Sequence, residues 1–203
     1  QNFELLRNIR PITGHAMIGR VDGTAACKGD HGFVFLFNPN YRPLPAEFTL
    51  DSSIGLTAGS QFLIRQLYPD AEKGRLIAPT GGTFWGRGDK VILPMPGADA
   101  LALEIAPAPT QVYKAWLLGG VGSVGLTGET LTLADLSGEI GSEKQLRIVL
   151  PPAAKVRNFA VNGLPVNFTE SNHVVTARVR FAGTSFGRVQ QIGRYDPRFA
   201  GGP

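Results

Sequence analysis

One glycine-rich stretch groups side chains whose chemistry suits a sugar. Residues 80–89 read TGGTFWGRGD, which brings Trp85, Arg87 and Asp89 close together in the sequence. An indole face stacks on the apolar side of a sugar ring, while a guanidinium and a carboxylate hydrogen-bond to its hydroxyl groups. Since loops commonly carry binding residues, we predict that these three residues contact carbohydrate.

Two other aromatic residues, Tyr68 and Trp116, are further candidates for carbohydrate binding, because a sugar site commonly uses more than one aromatic ring. The alternative is that Phe84 and Trp85 close one end of a hydrophobic core. A phosphate-binding role does not fit the glycine-rich stretch, since it lacks the Gly-Lys-Ser/Thr of a P-loop and the helix that follows one.

Asp30 and His31 form the best isolated acid/base pair, in a glycine-bounded segment that leads into an apolar run. A small enzyme could use such a pair for proton transfer. The alternative is a turn in which the aspartate caps backbone amides beside a half-buried histidine. Substitution of His31 without loss of any turnover would exclude the enzymatic interpretation.

Other catalytic and metal patterns are weak in this sequence. The histidines, at positions 15, 31 and 173, are scattered, and the single cysteine, Cys27, excludes an internal disulfide and a cysteine-based zinc site. No G-x-S-x-G elbow accompanies a serine, and surface turns account for the aspartates that lie near strand ends. We therefore predict no catalytic residue, no metal site and no cofactor.

Composition indicates a folded chain built of short strands. Of 203 residues, 43% are hydrophobic, and 26 glycines and 15 prolines separate runs rich in Val, Leu, Ile, Phe and Thr. No apolar run approaches the roughly 20 residues that a membrane-spanning helix needs, and the N-terminal residues do not resemble a signal peptide. The net charge of +4 comes from dispersed cations in the second part, so we predict no nucleic-acid binding.

Period-two patterns and turn residues predict strands along the whole chain. In the first part they predict strands at 16–21, 32–37, 46–50, 62–68, 90–93 and 101–105. In the second part they predict strands at 112–118, 130–133, 145–150, 156–161, 173–181 and 188–192. Asp22-Gly23 is read as a turn, Asn162-Gly163 as a type I′ hairpin, and residues 3–9 as a short helical lead-in.

No helical patterns alternate with these strands, so the sequence predicts an all-β fold with antiparallel sheets packed as a β-sandwich. Two prolines, Pro107 and Pro109, interrupt the pattern. We predict two packed sandwich subdomains, at 1–107 and 110–195, and a C-terminal tail at 196–203, with a single elaborated sandwich as the alternative. A structural role, in which the strand at 173–181 pairs with a partner's edge, is also open.

Two segments resemble a known family. Residues 20–56 carry an Asp-Gly lead-in, the strand GFVFLF ending in Asn38-Pro39, and a later Gly55-Leu56. This run resembles the C-terminal β-sandwich domain that follows the catalytic (β/α)8 barrel of many bacterial glycoside hydrolases, particularly of the α-galactosidase kind. Residues 150–163 are similar to the "LP…V…V-x-V-N-G" hairpin of such accessory sandwiches, with Val156, Val161 and Asn162-Gly163 in the matching places.

The resemblance implies a non-catalytic accessory domain of a glycoside hydrolase-like protein, which supports the catalytic barrel or positions carbohydrate. The roughly 250 residues of a barrel do not fit in this chain, so no catalytic carboxylate is carried over. The implied partners are carbohydrate or an upstream (β/α)8 catalytic domain, and the implied location is secreted or periplasmic. A free-standing carbohydrate-binding module is the alternative function.

Overall fold

The computed structural model describes residues 3–12, 18–69 and 74–182, and nearly all of its regular structure is strand. A short helix, α1, spans Phe3–Leu6, and a 3-10 turn spans Ser52–Ile54. The strands are β1 (Arg10–Pro11), β2 (Asp22–Lys28), β3 (His31–Asn38), β4 (Leu44–Thr49), β5 (Gln61–Tyr68), β6 (Leu76–Ile77), β7 (Trp85–Gly86), β8 (Lys90–Met95), β9 (Asp99–Pro107), β10 (Trp116–Leu118), β11 (Ser123–Thr127), β12 (Thr130–Ala134), β13 (Glu143–Val149), β14 (Asn158–Val161), β15 (Leu164–Pro165), β16 (Phe168–Ser171) and β17 (Val174–Arg180).

One large sheet and two smaller sheets are present among the described residues. The large sheet has the order β1-β2-β3-β9-β5-β6-β10-β13-β17-β16, with β7 paired to β5. The smaller sheets are β4-β8 and β11-β12-β14-β15. Most pairs are antiparallel, with parallel pairs at β6-β10 and β12-β14. The predicted all-β, antiparallel sandwich class is confirmed.

The first hydrophobic core lies between the large sheet and the β4-β8 sheet. Inward side chains of β2, β3, β9 and β5 meet those of β4 and β8, because alternate strand residues point to the same face. Its fully buried members include Val34, Ile64, Val91 and Leu103. The alternation at β3 therefore leaves Phe33, Phe35 and Phe37 on the outward face of the large sheet.

The second hydrophobic core lies between the other end of the large sheet and the four-stranded sheet. Leu146, Ile148 and Val175, from β13 and β17, pack against Leu131 and Leu133 of β12. Strand β17 shows the period-two pattern that the sequence predicts, with Val175, Ala177 and Val179 buried and Arg178 and Arg180 exposed.

The large sheet passes through both halves of the chain. Leu76 of β6 pairs with Leu118 of β10, and these two residues pack with Leu63 and Val149 in a third, smaller cluster. The two main cores have separate residues, in keeping with the idea of two subdomains, but one sheet contributes to both. The subdomain division at residue 107 stays a prediction.

Several predicted elements need correction. Residues 18–21 are not strand, and β2 begins at Asp22, so Asp22-Gly23 is not a turn: Asp22 pairs with Phe37, and Gly23 pairs with Leu36. A Cβ at position 23 would crowd Leu36 and Ile12, which is why a glycine fits within this strand. The predicted strand at 188–192 lies outside the described residues.

The predicted hairpin at Asn162-Gly163 matches the structure, in which both residues have positive φ and connect β14 to β15. The hypothesis that the strand at 173–181 pairs with a partner's edge is wrong, because β17 has a neighbour on each side, β13 and β16. None of the helices in the described residues is long and apolar enough to cross a membrane.

Candidate functional site

Trp85 belongs to the first hydrophobic core. Its side chain is only 8% exposed, and its indole Nε1 donates a hydrogen bond of 2.8 Å to the carbonyl oxygen of Ile77. Stacking on a sugar needs an open indole face, so the structure corrects the prediction that Trp85 binds carbohydrate in this way. The alternative drawn from the sequence, in which Trp85 closes the core, matches its position.

Arg87 is bound to the backbone of a neighbouring loop. Its guanidinium donates to the carbonyl oxygens of Gly59 over 2.7 Å and of Leu56 over 2.9 Å, and also to that of Ala58. The guanidinium carbon lies 5.7 Å from the centre of the Phe62 ring, which suits a cation–π contact. These contacts use three of the five N–H donors of the guanidinium, so Arg87 fixes the loop.

Asp89 stabilises the turn that contains Arg87. One of its carboxylate oxygens accepts a hydrogen bond of 2.7 Å from the backbone amide of Gly86. Asp51, on the adjoining loop, also caps a turn, accepting from the amide and hydroxyl of Ser53, and these hydrogen bonds lower the pKa of Asp51. Trp85, Arg87 and Asp89 are thus close together as predicted, but their contacts are those of a structural loop.

The two other aromatic candidates occupy different environments. Trp116 is partly buried in the third cluster, where its ring meets Phe84 edge-on at 6.3 Å. Tyr68 is 51% exposed and lies on the outward face of the large sheet. A register irregularity between Gln66 and Tyr68 gives β5 one extra residue, and this places Tyr68 opposite Ala102.

An aromatic face covers the outward side of the first half of the large sheet. We define it as Phe33, Phe35, Phe37 and Tyr68. Phe33 and Phe35 lie two residues apart on β3, with ring centres 6.4 Å apart and planes inclined by 28°. Phe37 is 50% exposed. Exposed aromatic residues grouped in this way are typical of an interaction surface.

A groove of about 510 Å³ crosses the aromatic face. Its floor includes Ala102, whose neighbours across the sheet are Phe35 on β3 and Tyr68 on β5. The small alanine side chain leaves space between the two larger rings. Pro11 and Thr24 complete the groove on the other side of Phe35.

The sequence contains a partial signal for this surface. Five consecutive large apolar residues, 33–37, indicate a strand with two apolar faces, and the second face is the aromatic one. The position of Tyr68 could not be predicted, because the register irregularity has no sequence signature here.

The acid/base candidates have turn geometry. His31 Nδ1 lies 3.1 Å from a carboxylate oxygen of its neighbour Asp30, and both side chains are about half exposed. Lys28, at the end of β2, pairs with His31, at the start of β3, so Asp30 and His31 lie in the hairpin that joins these two strands. No group of three or more metal-ligating side chains is found in residues 3–12, 18–69 and 74–182.

Comparisons with known proteins give a weak structural likeness. The sequence matches no family model and no curated protein. Among solved structures, it is similar to a protein of Bacillus halodurans C-125 described as a "putative alpha-N-acetylgalactosaminidase", at 12% identity and a TM-score of 0.35. The likeness covers 50% of this chain and 21% of that protein, so the chain spans about a fifth of its length. A TM-score this low supports no functional conclusion.

Proposed function

We propose that this chain is a non-catalytic accessory β-sandwich of a glycoside hydrolase-like protein, and that the aromatic face docks against the catalytic (β/α)8 domain. The observation that carries the proposal is the aromatic face itself, with Phe37 and Tyr68 each half exposed beside a groove of about 510 Å³. The class of partner comes from the resemblance of residues 20–56 and 150–163 to accessory sandwiches of these enzymes.

The chemistry of the aromatic face favours a protein partner. Its rings stand on rigid strands, so docking would cost little side-chain entropy while removing apolar area from water. Two polar residues of β2, Asp22 and Thr24, line the groove directly beside Phe37 and Phe35, and they supply polar contacts within a mainly apolar surface. This arrangement suits a permanent contact between domains.

A first test determines which domains are encoded by the open reading frame that contains this chain. The proposal expects a catalytic (β/α)8 domain before this sandwich. A reading frame that encodes no catalytic domain would contradict it.

A second test uses the full-length protein with Phe37→Asp on the aromatic face. The matched control is Ile92→Asp on β8, whose side chain is 53% exposed in a different sheet. We expect Phe37→Asp to lower the melting temperature of the catalytic domain, measured by loss of activity on heating, and Ile92→Asp to leave it unchanged. Equal effects of the two variants would reject docking through this face.

A further inference from the structure

The second half of the large sheet has a polar outward face. Arg147 of β13 pairs with Thr176 of β17, and Thr176 pairs with Thr169 of β16. Directly paired residues share a face, so these three side chains form a row. Their sequence neighbours Ile148 and Val175 point to the opposite face, into the second core.

A loop from the first half forms a wall beside this row. Arg147 holds the loop, since its Nη1 donates to the carbonyl oxygen of Gly82 over 3.0 Å and its Nη2 to that of Pro79 over 2.8 Å. The wall is therefore fixed to the strand that it faces. A cavity of about 710 Å³ lies between the loop and the row.

A second cavity, of about 520 Å³, adjoins the first. Both are lined by Gln145, Thr169 and Thr176, so the two form one groove, which we call the polar groove after these shared side chains; Phe168 and Ala177 add an apolar part to the second cavity. Thr80, Thr83 and Ser171 add further hydroxyl groups to its lining. Of the described residues that line either cavity, none is an aspartate or a glutamate.

The lining suits a ligand rich in hydroxyl groups and without charge. Hydroxyl and amide side chains both donate and accept hydrogen bonds, as sugar hydroxyls do. The arginines of the groove already have partners: Arg147 donates to two carbonyl oxygens, and Arg178 lies 3.8 Å from Glu143. The cavity volumes fall within the range of known ligand sites.

We infer that the polar groove binds a neutral oligosaccharide, whose hydroxyl groups hydrogen-bond to Gln145, Thr169 and Thr176. This goes beyond the docking role and does not depend on it, because the polar groove and the aromatic face share no residue. This assignment does not include Trp85 or Arg87, the residues that the sequence predicts as sugar contacts.

The test titrates the isotope-labelled chain with neutral hexasaccharides of gluco-, xylo-, manno- and galacto-configuration, and with an acidic hexagalacturonate for comparison. Concentrations reach about 5 mM, enough to detect millimolar dissociation constants. We expect at least one neutral sugar to shift backbone amide resonances in β13, β16 and β17. The proposal is overturned if no neutral sugar binds, if the shifts fall on Phe35 and Tyr68, or if the acidic sugar alone binds.

Variants then locate the contacts. Thr176→Val keeps the shape of the side chain and should raise the Kd roughly three- to tenfold, as expected for one lost hydrogen bond. Thr169→Trp should abolish binding by filling the groove. The control is Thr132→Val, at an exposed threonine of β12 outside the groove, and it should leave the Kd unchanged. Equal affinities of Thr176→Val, Thr169→Trp and the unaltered chain would overturn the assignment.

Discussion

Arg147 donates a hydrogen bond of 2.8 Å to the carbonyl oxygen of Pro79, which lies 68 residues earlier in the sequence. The same guanidinium also binds the carbonyl oxygen of Gly82. One planar side chain thus joins the second half of the chain to a loop of the first, and a forked donor is needed to serve both acceptors.

Arg147→Lys should loosen this loop, because an ammonium group does not reproduce the fork of the guanidinium. We expect a loss of about 1–2 kcal/mol in the free energy of unfolding, and faster hydrogen exchange at the amides of residues 80–83. Arg180→Lys, at an exposed position of β17, is the control. Unchanged exchange in the loop would show that other contacts hold it.

Arg87→Lys should destabilise the first half more than the same substitution at an arginine that forms only an exposed ion pair. Arg87 supplies three donors to backbone carbonyls, and a lysine would keep only part of these hydrogen bonds, at a cost of about 0.5–1.5 kcal/mol. Arg157→Lys, whose partner Glu129 is exposed, should change stability by less than about 0.5 kcal/mol. Urea unfolding measures both, and similar values would contradict the structural role of Arg87.

Asn38→Asp should be strongly destabilising at neutral pH. The fully buried amide of Asn38 donates to the carbonyl oxygens of Arg42 and Pro96, and a carboxylate would place a negative charge against them. We expect a loss of about 3 kcal/mol or more. The loss should shrink as the pH falls, because a protonated carboxyl can donate. The exposed Asn158→Asp is the control, and a pH-independent loss would contradict this explanation.

Cys27 should be unreactive in the folded chain. Burial raises the pKa of its thiol from 9.0 to about 11, so the folded state keeps its proton over a range in which the unfolded chain releases it. The contribution of the Cys27 thiol to the free energy of unfolding is therefore fully present below about pH 9 and is lost as the pH rises towards about 11. Cys27→Ala should unfold with a weaker dependence on pH in this range, measured by urea titration.

Thiol reagents provide the matching chemical test. Modification of Cys27 at about pH 8 should be slow in buffer and rapid in denaturing urea, since only the opened chain exposes the sulfur. Rapid modification of the folded protein would contradict the burial of this side chain.

Strand positions could be predicted where local pattern and tertiary contacts agree. The strand predicted at 32–37 lies within β3, and the turn after it depends on Asn38, whose amide joins that turn to the end of β8. By contrast, β2 was not predicted, because Asp22 and Gly23 have turn propensities and only their pairing with β3 makes them strand. Pairing across the sheet is a tertiary effect that a local pattern does not contain.

The candidate site shows a different limit of sequence reading. Trp85, Arg87 and Asp89 are close in sequence and in space, yet each has a partner inside the fold. Side-chain type indicates which bonds a residue can form but not which partner it finds. The polar groove was missed because its threonines and glutamine come from three strands and are unremarkable in each.

The ends of the large sheet bear on how the chain behaves when concentrated. In the described part of the chain, the outermost strands are β1, with two residues, and β16, with four. Because β1 pairs only with Thr24 and Ala25 of the seven-residue β2, most of β2 extends beyond its short neighbour, and a strand of another molecule would add to the sheet along this stretch.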